Sequence, residues 1–348
     1  RMLSTLLRLA LAALLALVLL PGASLAQAPD EPLLRLEVAG SPLLPGQGKS
    51  LPVTVSLARP ADLRLRVVDF DGRTVRVLFD GRRRAGRLER EWFGRDEEGQ
   101  QLPHGPYRVV ATATTDEGTG RASTWITISD RRVYPEAPGF ITVAVDPGHG
   151  GEFDGAVGPD GTREADLNLD IGLRLARMLE GAGVNVVVTR TRDGLVNEPP
   201  EDRTGDRVID GDDELAARPD LANGARADLF ISIHNNVAVN ESVNGPSTFY
   251  YDERPFGGRS ARLARIVQEE MLAALDGISG AYEPYDHGAL IYPYYVLRGY
   301  DPPRLRRPTQ MPAVLSEGMF LSNERELRYL KRPAVRQRMA VAYYDAVA

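Results

Sequence analysis

The chain has 348 residues, of which 43% are hydrophobic and 26% charged, so it has the composition of an ordinary globular protein and the length for two domains. It contains no cysteine, which excludes disulfides and thiolate metal sites and leaves nitrogen and oxygen as the metal ligands. Residues 140–348 carry 32 acidic and 23 basic side chains, and this negative balance excludes nucleic acid as the main ligand.

The first element in the sequence is an apolar run of 12 residues, 9–20, which arginines precede and Pro21-Gly22 ends. The run is shorter than the roughly 20 residues that span a bilayer, and small residues follow it. This layout predicts a signal peptide over residues 1–28. The alternative is an uncleaved N-terminal anchor. Either interpretation places the remaining chain outside the cytoplasm, so we expect a secreted protein of the periplasm, the cell wall or the extracellular space.

Residues 33–130 are predicted to form an all-β sandwich. Apolar and polar residues alternate in short segments, and turn-forming pairs such as Asp71-Gly72 and Asp80-Gly81 separate them. No segment of helical period lies between them, which favours a sandwich of two sheets. The predicted strands are 51–58, 63–69, 74–80, 107–114 and 123–130. Residues 131–139, rich in proline and charge, are predicted to be a linker.

Residues 140–348 are predicted to form an α/β domain. Nearly continuous apolar segments alternate with segments of helical period, which indicates a mostly parallel sheet covered by helices on both faces. The predicted strands are 141–146, 184–190, 228–234, 247–251 and 313–318. The predicted helices are 164–181, 213–225, 258–275, 323–330 and 333–347.

Four polar residues of this domain stand at the ends of predicted elements. His149 follows the strand 141–146, His234 and Glu317 terminate two later strands, and Glu164 begins a helix. Ligand sites of open α/β sheets form beyond the carboxyl ends of the strands, so we expect these side chains to meet. His149, Glu164 and His234 make a donor set suited to catalytic zinc, and Glu317 could be the general base.

Each of these residues also has an ordinary structural interpretation. A single histidine at a strand end is more often a hydrogen-bonded structural residue, and a glutamate at a helix start is favourable to the helix dipole. Asp146 could accept a hydrogen bond from a histidine ligand or could serve turn chemistry after its strand. The agreement of four positions on one site favours the metal centre.

The surrounding motifs resemble those of the zinc-dependent N-acetylmuramoyl-L-alanine amidases of bacterial cell walls over nearly all of 140–348. The resemblance implies zinc ligation by His149, Glu164 and His234, catalysis by Glu317, and cleavage of peptidoglycan between N-acetylmuramic acid and L-alanine. The matching motifs are Asp146–Gly151, Glu164 before Asn168-Leu169, Thr189–Asp193, Arg218 with Ala222-Asn223, Ala227–His234, and Glu317–Asn323.

The chain departs from this family pattern in a few places. Asn235 replaces the alanine that commonly follows the second histidine, and Met319 stands where glycine is frequent; neither change removes a ligand. The acidic segment 193–214 is longer than usual, and we expect a solvated loop rather than a calcium site. About ten residues separate the strand 247–251 from the next helix. That leaves little room for an inserted blocking helix, so we expect an open site.

The segment 282–301 is rich in tyrosine and contains His287. Its rings could line a groove for glycan or peptide, or could simply pack a long loop over the sheet. His287 is a candidate hydrogen-bond donor to the transition state, with a solvated loop histidine as the alternative.

Residues in the first domain resemble the immunoglobulin-like domain of flagellar hook-capping proteins, which also recurs in secreted bacterial enzymes. Trp92 would fill the core of the sandwich. The resemblance implies a spacer or a module that docks onto a partner in the cell envelope. The matching residues are Trp92, Gly94, Asp96, Gly99, Gly105 and Tyr107.

Two other functions are compatible with the chemistry of these residues. One is a wall-binding module with an inactive site, although the presence of all four polar residues argues against it. The other is a zinc peptidase that acts on the stem peptide, and only the family resemblance favours the amidase over it. The sequence does not determine the oligomeric state.

Overall fold

The seven strands of the N-terminal domain form two antiparallel sheets, as alternating apolar side chains require. The computed structural model describes residues 32–45, 47–133, 141–302 and 304–348. The predicted signal peptide and most of the predicted linker lie outside these residues. One sheet has the order β1-β2-β5 and the other β4-β3-β6-β7. The strands are β1 (Leu34–Val38), β2 (Leu51–Leu57), β3 (Ala61–Val68), β4 (Thr74–Arg83), β5 (Gly86–Trp92), β6 (Gly105–Thr115) and β7 (Gly118–Ile128).

The core of this sandwich contains Trp92, as predicted. Its side chain is buried, its indole N–H donates to the Arg95 carbonyl at 2.9 Å, and its ring meets Tyr107 edge-on. The Tyr107 hydroxyl donates to the carbonyl of Pro103, four residues upstream, at 2.9 Å. Strands β1 and β5 were not predicted. In β5 only Leu88 and Trp92 are buried, and charged residues occupy most other positions, so the alternation is weak.

The second domain contains a six-stranded mixed sheet, in the order β12-β11-β13-β10-β8-β9. All neighbouring strands are parallel except β11 and β13, so the predicted mostly parallel sheet is confirmed. Strand β12 was not predicted; it has three residues and lies at the edge. The strands are β8 (Thr142–Pro147), β9 (Asn185–Val188), β10 (Leu229–Asn236), β11 (Ser247–Tyr250), β12 (Ala289–Ile291) and β13 (Ala313–Phe320).

Both faces of this sheet are covered. In β10, Ile231 and Ile233 contribute to the core beneath helices α1, α3 and α5, while Phe230 faces a smaller apolar cluster on the other side. This burial explains the nearly continuous apolar strands. The helices are α1 (Glu164–Gly181), α2 (Gly211–Gly224), α3 (Gly257–Asp276), α4 (Glu324–Leu330) and α5 (Pro333–Val347). Among the described residues, no helix is long and apolar enough to span a bilayer.

The C-terminal half of α1 packs directly against the sandwich. The Thr127 hydroxyl donates to the carbonyl of Met178 at 2.6 Å, and the Ser41 hydroxyl donates to the carbonyl of Gly181. The Met178 carbonyl also accepts from the Ala182 amide. The last carbonyls of a helix lack partners within it, so the Ser41 hydroxyl of the sandwich completes this end of α1 at Gly181. Nearby, Arg174 is buried, pairs with Asp71 at 2.8 Å and stacks 4.3 Å above the ring of Phe70.

Gly181→Ala is expected to destabilise the protein by about 1–3 kcal/mol, because overpacking of a close contact has that cost. A Cβ atom at this position would lie 2.6 Å from the Thr127 hydroxyl and 2.8 Å from the carbonyl carbon of Ile126. The matched control is Gly224→Ala, at the last residue of α2, where nothing lies within 4 Å. Alanine in a helix is ordinarily the more stable residue, so the control should gain up to about 1 kcal/mol. Denaturant unfolding of both variants measures the difference, and equal effects would contradict a packed domain contact.

Candidate metal centre and catalytic cleft

The four predicted site residues converge at the carboxyl edge of the sheet. His149 follows β8, Glu164 begins α1, and His234 lies in β10 directly opposite Glu317 in β13. Because β8, β10 and β13 are adjacent and parallel, their carboxyl ends meet at one place. The topology therefore produces the juxtaposition that the sequence predicts.

His149, Glu164 and His234 form a compact cluster. The Nε2 atom of His149 is 3.2 Å from Oε2 of Glu164, and Nδ1 of His234 is 2.9 Å from Oε1 of the same carboxylate. One potential ligand atom from each residue lies within 4.8 Å of the others. The two imidazoles and one carboxylate are a donor set that suits zinc and leaves a position for water. The residues present therefore fit a catalytic zinc ion.

The loop after β8 brings these ligand atoms together because its glycines leave room for the rings. A Cβ atom on Gly148 would lie 2.1 Å from the His234 ring, and one on Gly155, where φ is +71°, would lie 2.5 Å from Oε2 of Glu164. His149 itself has φ of 62°, a left-handed conformation that costs free energy in a non-glycine residue. The surrounding contacts must hold this conformation.

The carboxylate of Glu164 is buried and saturated with hydrogen bonds. Burial alone would raise its pKa, but the hydrogen bonds and charges of His149 and His234 outweigh burial and lower the pKa below the usual range. The backbone amides of Ala156 and Asn235 donate to its two oxygens at 2.8 and 3.1 Å. The group is therefore held as a carboxylate, the form that binds a metal.

Glu317 differs from Glu164 in its surroundings. Only 9% of the residue is exposed, and its Oε2 atom is buried without a hydrogen-bond partner among the described residues. Burial raises its pKa well above the usual value, and the charge of Glu164 adds to the rise. One carboxyl favours the ionised form and the other the protonated form, a separation typical of a ligand beside a proton carrier.

Asp146 accepts no hydrogen bond from a histidine among the described residues, so the first of its two predicted alternatives, acceptor for a histidine ligand, is not observed. Its oxygens accept instead from Thr189, Ser232 and Arg218, at 2.6, 2.7 and 2.8 Å. Burial alone would raise its pKa, but the Arg218 charge and these hydrogen bonds lower it. The ring nitrogen of His234 points to Glu164, which leaves Asp146 to fix Arg218.

Two buried arginines, identified from the sequence only as members of motifs, hold the backbone of the His149 loop. Arg218 donates to the carbonyl of His149 at 2.9 Å and to that of Pro147 at 3.1 Å. Arg190 donates to the carbonyls of Pro147 and Gly148 at 2.8 and 2.9 Å. These contacts stabilise the strained turn at His149. The sequence contained one indication: Glu214 and Arg218 are spaced i,i+4 and form an ion pair at 2.9 Å.

The acidic segment 193–214 is only partly solvated, so the expectation of a solvated loop is wrong for its C-terminal end. Glu214 accepts from the amides of Val196 and Asn197, and Asp213 accepts from those of Arg203 and Thr204. Asp210 caps α2, with its side chain accepting from the Asp212 amide at 2.9 Å. Carboxylates thus fold the loop by binding its own backbone amides.

A cleft of about 610 Å³ opens above the cluster. Its wall contains Glu317, the start of α2, and the rings of Phe153, Tyr294 and Tyr295. Burial and the charge of Glu317 raise the pKa of Tyr294 to about 12. The tyrosine-rich segment therefore contributes Tyr294, Tyr295 and Val296 to the cleft. Tyr292 packs at a tilt against Tyr294, with 4.6 Å between the ring centroids.

His287 lies outside the set of residues that line the cleft. Its Nε2 atom is 3.0 Å from the Asn244 carbonyl, and its ring packs on Tyr285 and Phe320. This placement favours packing over a role at the reacting bond. Six residues, 251–256, connect β11 to α3, and no helix covers the cleft in this described part of the chain.

A cleft above a cluster of two histidines and a glutamate is an arrangement that suits a hydrolase and could hold a metal ion. Residues 143–348 match the family model described as N-acetylmuramoyl-L-alanine amidase, and residues 42–117 match the FlgD Ig-like domain. The chain belongs to the N-acetylmuramoyl-L-alanine amidase family, whose members are peptidoglycan hydrolases. The predicted immunoglobulin-like sandwich before the catalytic domain is confirmed as well.

The alignments with curated relatives span about the length of the second domain. The amidase LytC of Bacillus subtilis is 31% identical over 204 residues, which are 59% of this chain and 34% of LytC. The germination-specific amidase of the same organism is 29% identical over 205 residues, 59% of this chain and 77% of the relative. Among solved structures, AmiC2 of Nostoc punctiforme is 28% identical, with a TM-score of 0.47 over 61% of this chain and 97% of that one. The part of this chain that aligns with LytC therefore corresponds to about a third of the length of LytC.

Proposed function

We propose that this protein is an exported, zinc-dependent amidase that cleaves peptidoglycan between N-acetylmuramic acid and L-alanine. The observation that carries the proposal is the cluster of His149, Glu164 and His234 beside Glu317, at the base of an open cleft in a chain of the amidase family. LytC and the germination-specific relative are both N-acetylmuramoyl-L-alanine amidases, which favours this bond over those within the stem peptide.

His149, Glu164 and His234 would hold the zinc ion. When bound, zinc supplies Lewis-acid chemistry: it lowers the pKa of water and polarises a carbonyl. The short distances from both histidine nitrogens to the Glu164 carboxylate support this assignment, since all three side chains already point to one spot. Arg190 and Arg218 would keep His149 in place by holding the carbonyls of its loop.

Glu317 would carry the proton of the reaction. It would accept a proton from the attacking water and return it to the amine of the leaving L-alanine. It lies opposite His234 and so beside the cluster, and its buried Oε2 atom has no hydrogen-bond partner among the described residues. Burial raises the pKa of Glu317 well above its usual value, which favours a carboxyl that takes up and gives back a proton in each cycle.

The first domain would dock the enzyme onto a partner in the cell envelope. Its match to an immunoglobulin-like domain and its position before the catalytic domain support a binding role rather than a chemical one. Export would bring the protein to its substrate, and the predicted signal peptide over residues 1–28 supports export. The short connection from β11 to α3 supports a cleft that needs no partner to open it.

Digestion of purified peptidoglycan tests the reaction. The expected products, identified by mass spectrometry, are free stem peptides that begin with L-alanine, together with glycan strands that keep intact N-acetylmuramic acid. Shortened peptides with L-alanine still attached to the sugar would instead establish a stem-peptide peptidase. Binding to the wall without any released product would establish an inactive binding module.

A further inference from the structure

Strand β13 contains a bulge directly after Glu317. His234 of β10 pairs with Glu317, but Asn236 pairs with Phe320, so two residues of β13 lie opposite Asn235 alone. A bulge leaves one backbone amide without a partner in the ladder. Here that amide belongs to Met319, which is fully buried, and its N–H donates to Oδ1 of Asn235 at 3.2 Å.

The Asn235 side chain continues from the bulge toward the metal cluster. Its Nδ2 atom donates to Oδ1 of Asn168 at 2.9 Å. The Nδ2 atom of Asn168 in turn donates to Oε1 of Glu164 at 3.0 Å and to the carbonyl of Gly148 at 3.3 Å. Both asparagines are buried. A chain of hydrogen bonds therefore connects the strand of Glu317 with the carboxylate of Glu164.

The Met319 amide sets the direction of these hydrogen bonds. A backbone N–H can only donate, so the Asn235 atom that faces it must be the oxygen. That orientation turns the Asn235 amide nitrogen toward Asn168, which must then present its own oxygen. The nitrogen of Asn168 is left facing Glu164 as a donor. The Glu164 carboxylate and the Gly148 carbonyl can only accept, so both ends of this chain of hydrogen bonds require the same orientation of Asn168.

We propose that Asn235 is a positioning residue, which orients Asn168 as a donor to Glu164 and ties the metal-binding carboxylate to the bulge beside Glu317. The proposal rests on the proposed function. Positions 235 and 319, at the two ends of the first contact, are two of the places where this protein departs from the family pattern. In this chain the asparagine supplies the acceptor that the Met319 amide needs.

Asn235→Asp tests the direction of these hydrogen bonds without changing the size of the side chain. A carboxylate still accepts from Met319 but cannot donate to Asn168, so Asn168 must flip or lose its contact. We expect zinc to bind 10–100-fold more weakly, the range typical for loss of an outer-shell partner, as measured by chelator competition on the full protein. We also expect kcat to fall by about 10-fold or more at saturating zinc while KM changes less than about 2-fold.

Two further variants distinguish the effect of lost hydrogen bonds on zinc affinity from the effects of added charge and of misfolding. Asn236→Asp adds the same charge one residue away, on a half-exposed side chain whose Oδ1 accepts from the Val237 amide. This variant should keep the zinc affinity of the wild type within about 2-fold. Asn235→Ala removes the chain of hydrogen bonds without adding charge, and should weaken zinc binding by about 10-fold even if the aspartate variant fails to fold.

Two outcomes would overturn the proposal. One is wild-type zinc affinity in folded Asn235→Asp or Asn235→Ala, whatever the change in melting temperature, since that would assign Asn235 to stability alone. The other is an equal loss in Asn236→Asp, which would make the effect one of charge. Failure of the proposed function is a different result, because the wild-type protein itself would then bind no zinc or release no stem peptide.

Discussion

Glu317→Ala is expected to reduce the turnover of peptidoglycan by about 10³-fold, within the range attributed to general acid–base catalysis, while the variant still binds zinc. The side chain lies beside the cluster of His149, Glu164 and His234 but is not one of its members. Removal of the carboxyl eliminates the proposed proton carrier and leaves the proposed metal ligands in place. It also removes a buried group without a partner at Oε2, so the cost in stability should be small.

Kinetics on purified peptidoglycan and metal analysis by mass spectrometry measure the two halves of this expectation. Glu317→Gln keeps the shape of the side chain and should be as inactive as the alanine variant. Glu324→Gln, on the exposed surface of α4, is the control and should be as active as the wild type. Substantial activity in either Glu317 variant would eliminate the assigned proton carrier.

His149→Ala is expected to lose both zinc and activity. The side chain is one of the three that could hold the ion, and its loss should weaken zinc binding by more than the 10–100-fold typical of an outer-shell change. Turnover should fall to the background of the assay, because neither lowered water pKa nor carbonyl polarisation is available without the metal. The contrast with Glu317→Ala, which keeps its zinc, separates the ligand from the proton carrier.

Zinc stoichiometry after gel filtration and release of stem peptides measure this second expectation. His104→Ala, a histidine of the sandwich, is the matched control and should keep one zinc and full activity. Treatment of the wild type with a chelator should reproduce the loss, and added zinc should restore it. An active chelated enzyme, or a His149→Ala variant with tightly bound zinc, would refute the metal mechanism.

The order of elements and the position of the site were predictable from the sequence because both depend on local patterns. Strands of the second domain are mostly apolar before their carboxyl ends, and α1 has the helical period, so their types follow directly. Polar residues at the ends of such strands must lie at one edge of a parallel sheet. That rule was sufficient to bring His149, His234 and Glu317 together.

The hydrogen-bond partners within the site were not predictable, because they depend on which side chains the completed fold makes adjacent. Asp146 and Arg218 are 72 residues apart and meet only when α2 packs beside β8. The bulge after Glu317 has no local sequence pattern, so the contact between Asn235 and Met319 could not be anticipated. The carboxylates of residues 210–214 looked like a solvated run, whereas several bind backbone amides within the loop.

Helix α1 begins at Glu164 in the cluster and ends at Gly181 against the sandwich. Its 18 residues give a stiff rod of roughly 27 Å between these two points. If the sandwich is anchored to a partner in the envelope, the scissile bond must lie at a fixed distance from the anchor. The protein would then cut only those wall strands that pass at that distance, so placement of the anchor would select where the wall is opened.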